Sequence, residues 1–315
     1  MRTVTCRGAI KREAMCSPDD AVTQNVEVQV SSEEQKQVNP PSIWETIASW
    51  GVNYMHIPSE VKIGYYFITL LMLSLVKESI DVPHIDMLTG KHSVLNTVFV
   101  KKGWGITLIA FVVYHLTSLP LHPKWMIGLK QLLIRIAATT FFFFIWCAVV
   151  FEVAEQYSEV CTFNNIKVEL TKRQCLKLKD HVYYSFDISG HSFLTTYCVL
   201  IMMEESKEIL YFLWLGKCLR GIPTNTSESI GLAKFDEKDT KILHSRYTIM
   251  SPIVVVSFVC IVLLCLIWDF MFIITTLYYH NFLEKVIGTI LAVSTWYFLY
   301  RQLFTYVFKH KFFLS

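Results

Sequence analysis

Residues 252–268 read PIVVVSFVCIVLLCLIW, a run without one charged side chain. Aromatic and β-branched residues carry it on to Tyr278 and Tyr279. A helix of about 20 apolar residues crosses the ~30 Å hydrocarbon core of a bilayer, so this run decides the class: an integral membrane protein. Composition agrees, with 53% hydrophobic and only 17% charged residues among 315 and a mean hydropathy of +0.41. The net charge of +3, spread along the chain, gives no electrostatic footprint for nucleic acid.

Five more apolar stretches are expected to span, over about 61–76, 105–119, 127–146, 189–203 and 286–300, the last with an extension to 308. The first is short for a bilayer, so Lys62 and Lys77 are expected to snorkel. The fold predicted is therefore all-α, a six-helix transmembrane bundle over 61–308. Residues 1–42 are too polar to offset their ordering entropy and form a disordered tail, while 43–60, with Trp44, Trp50 and Tyr54, form an interfacial segment. A short tail over 309–315 closes the chain. Glu204 and Glu205 mark a solvated helix end, and His115, inside the second span without an evident partner, is assigned to packing. Residues 211–215 lie along the membrane surface or form a buried loop helix.

Lysine and arginine collect on the cytosolic side of membrane proteins. With both termini on one side, that side holds 18 of them against 10 opposite, which places the termini in the cytosol. The sequon at Asn225 then faces the cytosol, where it goes unused. The nine cysteines show no metal-ligand spacing, and no metal or cofactor is expected. Cys161 and Cys175 share a polar loop, and whether they pair depends on an oxidising compartment.

An even number of spans puts the first-to-second, third-to-fourth and fifth-to-sixth connections on one face, and two histidines lie there. His191 follows Asp187, Ser189 and Gly190 at the mouth of the fourth span, and His280 stands where the fifth meets the sixth. Asn96 belongs to the same face. A neutral imidazole can attack phosphorus and an imidazolium can protonate a leaving oxygen, so two histidines can divide those roles. A helix start at Ser189, Gly190 and His191 offers unpaired N–H groups to a phosphate, although Asp187 or Ser189 could equally serve as a plain helix cap. Glu284 follows His280 by four residues and would share its face on a continuous helix. Lys285, or Lys101 and Lys102, could supply fixed positive charge.

The blocks Phe186-Asp187-Ile188-Ser189-Gly190-His191-Ser192-Phe193-Leu194 and Tyr279-His280-Asn281, with Lys285-Val286, Gly288-Thr289 and Asn96, resemble the signature of the fat storage-inducing transmembrane (FIT) family. The resemblance covers roughly 64–308 and extends more distantly to lipid phosphate phosphatases. It implies an endoplasmic-reticulum hydrolase that cleaves fatty acyl-CoA to acyl 4′-phosphopantetheine and adenosine 3′,5′-bisphosphate and supports lipid-droplet formation, with its active site facing the lumen. It implies His280 as nucleophile and His191 as acid and base. Asn96, Asp187, Ser189, Gly190, Glu284 and Lys285 would bind substrate or support the site. Diacylglycerol and triacylglycerol are further implied ligands, and a non-enzymatic protein that partitions these neutral lipids is the alternative reading. The chain departs from the phosphatases at Ile274, where they carry an arginine, and it lacks their lysine and Arg-Pro first motif. Its phosphate clamp must therefore differ.

Overall fold

The computed structural model describes residues 40–80, 101–122, 124–163, 166–178, 180–220 and 237–308. Asn96, the Asn225 sequon, the side chain of Lys101 and the tails over 1–39 and 309–315 lie outside them. After α1 (Ile43–Met55) come α2 (Ser59–Ser79), α3 (Lys101–Ser118) and α4 (Trp125–Phe144). A π-helical stretch, Ile145–Val150, joins α4 to α5 (Phe151–Tyr157). Then follow β1 (Val160–Phe163), β2 (Ile166–Val168), α6 (Lys172–Cys175), β3 (His181–Tyr184), α7 (Gly190–Glu205), α8 (Glu208–Leu219), α9 (Glu237–Tyr278) and α10 (Phe282–Tyr297). A second π-helical stretch, Phe298–Leu303, leads to α11 (Phe304–Phe308).

Among the described residues, five helical segments are long and apolar enough to cross a membrane: Ser59–Ser79, Lys102–Leu121, Trp125–Tyr157, Thr240–Tyr278 and Phe282–Phe308. The expected fourth span is α7. Its 16 residues reach about 24 Å, short of a bilayer core, and it lies among the others with all but three residues buried. It packs chiefly on α10 and α9, and on α3. Aromatic contacts tie α4 to it, with Phe143 and Tyr197 stacked at 6.5 Å and the Tyr197 hydroxyl donating to Thr139 O at 2.9 Å. A side chain on Gly288 of α10 would come within 2.5 Å of Ser189 O. Glycine is therefore required there, because the α10 backbone touches the chain that opens α7.

Only Gln131, Leu132 and Thr139 are buried along α4. The phenylalanine run divides, Phe141 and Phe144 facing outward and Phe143 packing on Trp104. Residues 208–219 form α8, whose Ile209, Phe212 and Leu215 are buried. The loop before α7 holds a three-stranded antiparallel sheet, order β2-β1-β3, which the sequence did not announce. A Cys161–Cys175 disulfide fastens α6 to β1.

Two buried carboxylates inside the bundle, Asp269 and Glu205, are paired with groups from other spans, which corrects three readings. Lys62 does not snorkel: it is buried against Asp269, which also accepts from the Tyr54 and Tyr66 hydroxyls at 2.6 Å. Glu205 is not a solvated end, being 2% exposed. It accepts from Arg135 of α4 at 2.9 Å and from the Tyr300 hydroxyl at 2.6 Å. His115 has a partner after all, its Nε2 lying 2.8 Å from the same carboxylate. A charge in an apolar interior persists only when paired, and these partners come from distant spans. Replacing Glu205 with alanine orphans Arg135, and we expect a loss of about 3 kcal/mol. Thermal melting in detergent checks this; an unchanged melting temperature would show that the cluster does not hold the bundle.

Candidate functional site

The site is built where α9 ends and α10 and α7 begin. Tyr279 N still bonds to Thr275 O at 3.0 Å, but His280 turns into the left-handed region with φ of 51°. This conformation ends α9 and is uncommon outside glycine, although histidine is among the residues that adopt it more readily. Asn281 is the N-cap of α10. The expected continuous helix from His280 to Glu284 is thus absent, and a different device brings the two together. Glu284 is the third residue of α10 and reaches back, accepting from Asn281 N at 2.9 Å. Its Oε2 consequently stands 3.5 Å from His280 Nδ1.

The same residue holds the other half of the site. Glu284 Oε1 accepts from Asp187 N at 3.3 Å, and Glu284 O accepts from Ser189 N at 3.2 Å. Ser189 then caps α7, accepting from Ser192 N at 3.2 Å. It is wholly buried, so its hydroxyl serves the helix start. Asp187 also points its carboxylate at the same nitrogen of His280, Oδ2 to Nδ1 at 3.7 Å. The His191 and His280 rings lie 5.9 Å apart between centroids, and His191 stacks on Tyr279 at 5.3 Å and 10°. His191 Nε2 is buried with no hydrogen-bond partner among the described residues. A methyl group on Gly190 would meet nothing nearer than Phe151 at 3.9 Å, so no described neighbour demands glycine there.

His191, His280, Asp187, Ser189, Gly190 and Glu284 thus come together. Lys285 does not join them through any hydrogen bond to these groups: it is 1% exposed, and its ammonium donates to Thr276 O at 2.8 Å and Ser74 Oγ at 3.2 Å. Sequence reasoning missed Lys77, whose ammonium donates to His280 O at 3.2 Å. Only its place at the end of the first span, on the face that also carries His280, pointed there.

Chemically, two carboxylates within 3.7 Å of His280 Nδ1 favour a proton on that nitrogen, an arrangement that can leave Nε2 open to a substrate. The α7 start adds N–H groups and a positive dipole end beside His191. Among the described residues no cluster of histidine, cysteine and carboxylate is arranged to hold a metal.

Burial pushes the Asp187 carboxyl above its usual range; the imidazole of His280 opposes this, and Glu155 and Glu284 add to it. A carboxyl raised in the folded state loses stability as pH rises through that value. Asp187→Asn should therefore leave the melting temperature at pH 7 unchanged or slightly higher, a small effect because the side chain is 59% exposed. The difference should vanish below about pH 3, where the acid is neutral in both states. Activity should nevertheless fall about tenfold, as for a residue that orients a reacting imidazole. Melting and turnover measured together check this; a drop in melting temperature would make Asp187 structural.

Comparison with known proteins gives the site a context. A family model described as fat storage-inducing transmembrane protein matches residues 146–300, which contain both histidines. The chain is 32% identical over 253 residues to the acyl-coenzyme A diphosphatase FITM2 of Drosophila melanogaster, covering 77% of this chain and 58% of that protein. It is 29% identical to the human protein of that name over 239 residues and 30% identical to that of Sus scrofa over 240, covering 73% of this chain and 77% of each relative. No solved structure matches the chain.

Proposed function

Because the chain belongs to the fat storage-inducing transmembrane protein family, we propose that it is an acyl-coenzyme A diphosphatase, hydrolysing fatty acyl-CoA to acyl 4′-phosphopantetheine and adenosine 3′,5′-bisphosphate. The observation that carries this reading is the pair of imidazoles 5.9 Å apart at a helix N-terminus, one of them backed by two carboxylates. The relatives that cover this face are named for that reaction.

His280 Nε2 gives its lone pair to a phosphorus of the diphosphate, and the anhydride P–O bond breaks with its electrons on the leaving phosphate oxygen. His191 protonates that oxygen. Asp187 and Glu284 stabilise the Nδ1–H of His280 as positive charge develops on the ring. The diphosphate's own charge, arriving beside His191, favours the imidazolium needed for this step. His191, now neutral, then takes a proton from water, whose oxygen displaces His280 from phosphorus. Ser189 and Gly190 shape the approach, Gly190 leaving room against the α7 start. Asn96 and Lys285 complete the set expected to support the site, the latter from behind.

The acyl chain stays in the bilayer while the head group reaches the helix mouth. The location proposed is the endoplasmic-reticulum membrane, with both termini cytosolic and the site lumenal. The charge asymmetry supports this, as does the disulfide in the loop leading to Asp187, since disulfides persist in oxidising compartments. Diacylglycerol and triacylglycerol are proposed as further ligands from the membrane side, and lipid-droplet formation as the process served.

Purified His191→Ala and His280→Ala variants should each lose at least about 1,000-fold in acyl-CoA turnover. Mass spectrometry of products is the check. Retained turnover in either variant removes that residue's role. Inorganic phosphate released from phosphatidic acid would instead make the protein a lipid phosphate phosphatase, and lipid binding without any phosphorus product would make it a neutral-lipid binder.

A further inference from the structure

An anionic diphosphate needs a cation, and the described site surrounds His280 with two carboxylates, Asp187 at 3.7 Å and Glu284 at 3.5 Å. The expected source, Lys285, is engaged elsewhere: it is 1% exposed and bonded to Thr276 O and Ser74 Oγ. Those two contacts have a consequence for α2. Ser74 and Lys77 are three residues apart, on one face of that helix, so the face that meets Lys285 through Ser74 presents Lys77 at the turn between α9 and α10. Lys77 Nζ donates to His280 O at 3.2 Å and its side chain is exposed.

We propose that Lys77 binds the diphosphate of the substrate, serving as the phosphate-holding cation of this site. The inference rests on the acyl-CoA diphosphatase reading and adds a residue to it. An ammonium has three N–H donors. One reaches the His280 carbonyl, and the others, which meet no acceptor among the described residues, are available to phosphate oxygens. The contact to the backbone of His280 ties the cation to the nucleophile, so the two arrive at the substrate in register. Compact charge on a flexible stem suits a group that must follow the phosphorus through two steps. Loss of this charge is felt more as negative charge shifts onto the leaving oxygen, so kcat falls as well as the affinity for substrate.

The test separates this from a structural role, in which Lys77 merely caps the turn. Lys77→Gln keeps an N–H for the His280 carbonyl but carries no charge, and Lys77→Arg keeps both. The binding role predicts that Lys77→Gln loses about 100-fold in kcat/KM with an unchanged melting temperature, while Lys77→Arg stays within about tenfold of the parent. It also predicts that methylenediphosphonate, a diphosphate mimic that cannot be cleaved, inhibits the Gln variant at least about tenfold more weakly than the parent. Wild-type behaviour of Lys77→Gln in both assays, or equal loss in Gln and Arg, overturns the proposal. If the parent itself does not cleave acyl-CoA, the diphosphatase reading fails instead; a parent that cleaves it beside an indifferent Lys77→Gln sinks the Lys77 inference alone.

Discussion

The arrangement depends on what one carboxylate does at the start of α10. Glu284 accepts from Asn281 N, accepts from Asp187 N, stands beside the ring of His280, and through its own carbonyl holds Ser189 N. Two segments about 90 positions apart in sequence are joined by these bonds. Gly288, one helical turn further on, lets the two backbones close because any side chain there would collide with Ser189 O. Without that contact the α7 mouth and the α9–α10 turn would be two polar corners of a membrane bundle. With it they are one site.

The rest of the bundle holds α7 in place at its other end. Glu205 ends the helix that His191 begins, and it gathers Arg135 from α4, His115 from α3 and Tyr300 from the last span. Isolated in the apolar interior, any one of these groups would be costly, so each makes the others necessary. The α4 helix buries little of its surface, and this contact is one of the few that anchor it. A short central helix thus carries the candidate site at one end and a charge cluster at the other.

Much of this was written in the sequence. Apolar runs gave the membrane class, and the two polar blocks singled out in the sequence do meet, the His191 and His280 rings lying 5.9 Å apart; the count of six crossings used to bring them together is not matched by the five segments long enough to span among the described residues. The shared polar loop of Cys161 and Cys175 raised the pairing that the structure contains. What stayed hidden is tertiary. His115 looked partnerless because Glu205 is 90 positions away, and Glu205 looked solvated because a glutamate before Ser206 and Lys207 usually is. Glu284 was placed near His280 by helical spacing, yet it arrives there by capping a new helix, since the left-handed turn at His280 has no mark in the local sequence. Lys285 was chosen for charge, and burial turned it toward the end of α9.

In the proposed reaction His280 is the nucleophile toward phosphorus and His191 the proton carrier. Rapid mixing of the protein with acyl-CoA, quenching in alkali to preserve phosphohistidine, and peptide mapping by mass spectrometry tests it most directly. The proposed reaction requires a phosphorus-bearing adduct on the peptide containing His280, accumulating further in His191→Ala, where the second step lacks its base. An adduct on His191, or product formed in the absence of any adduct on His280, would contradict it.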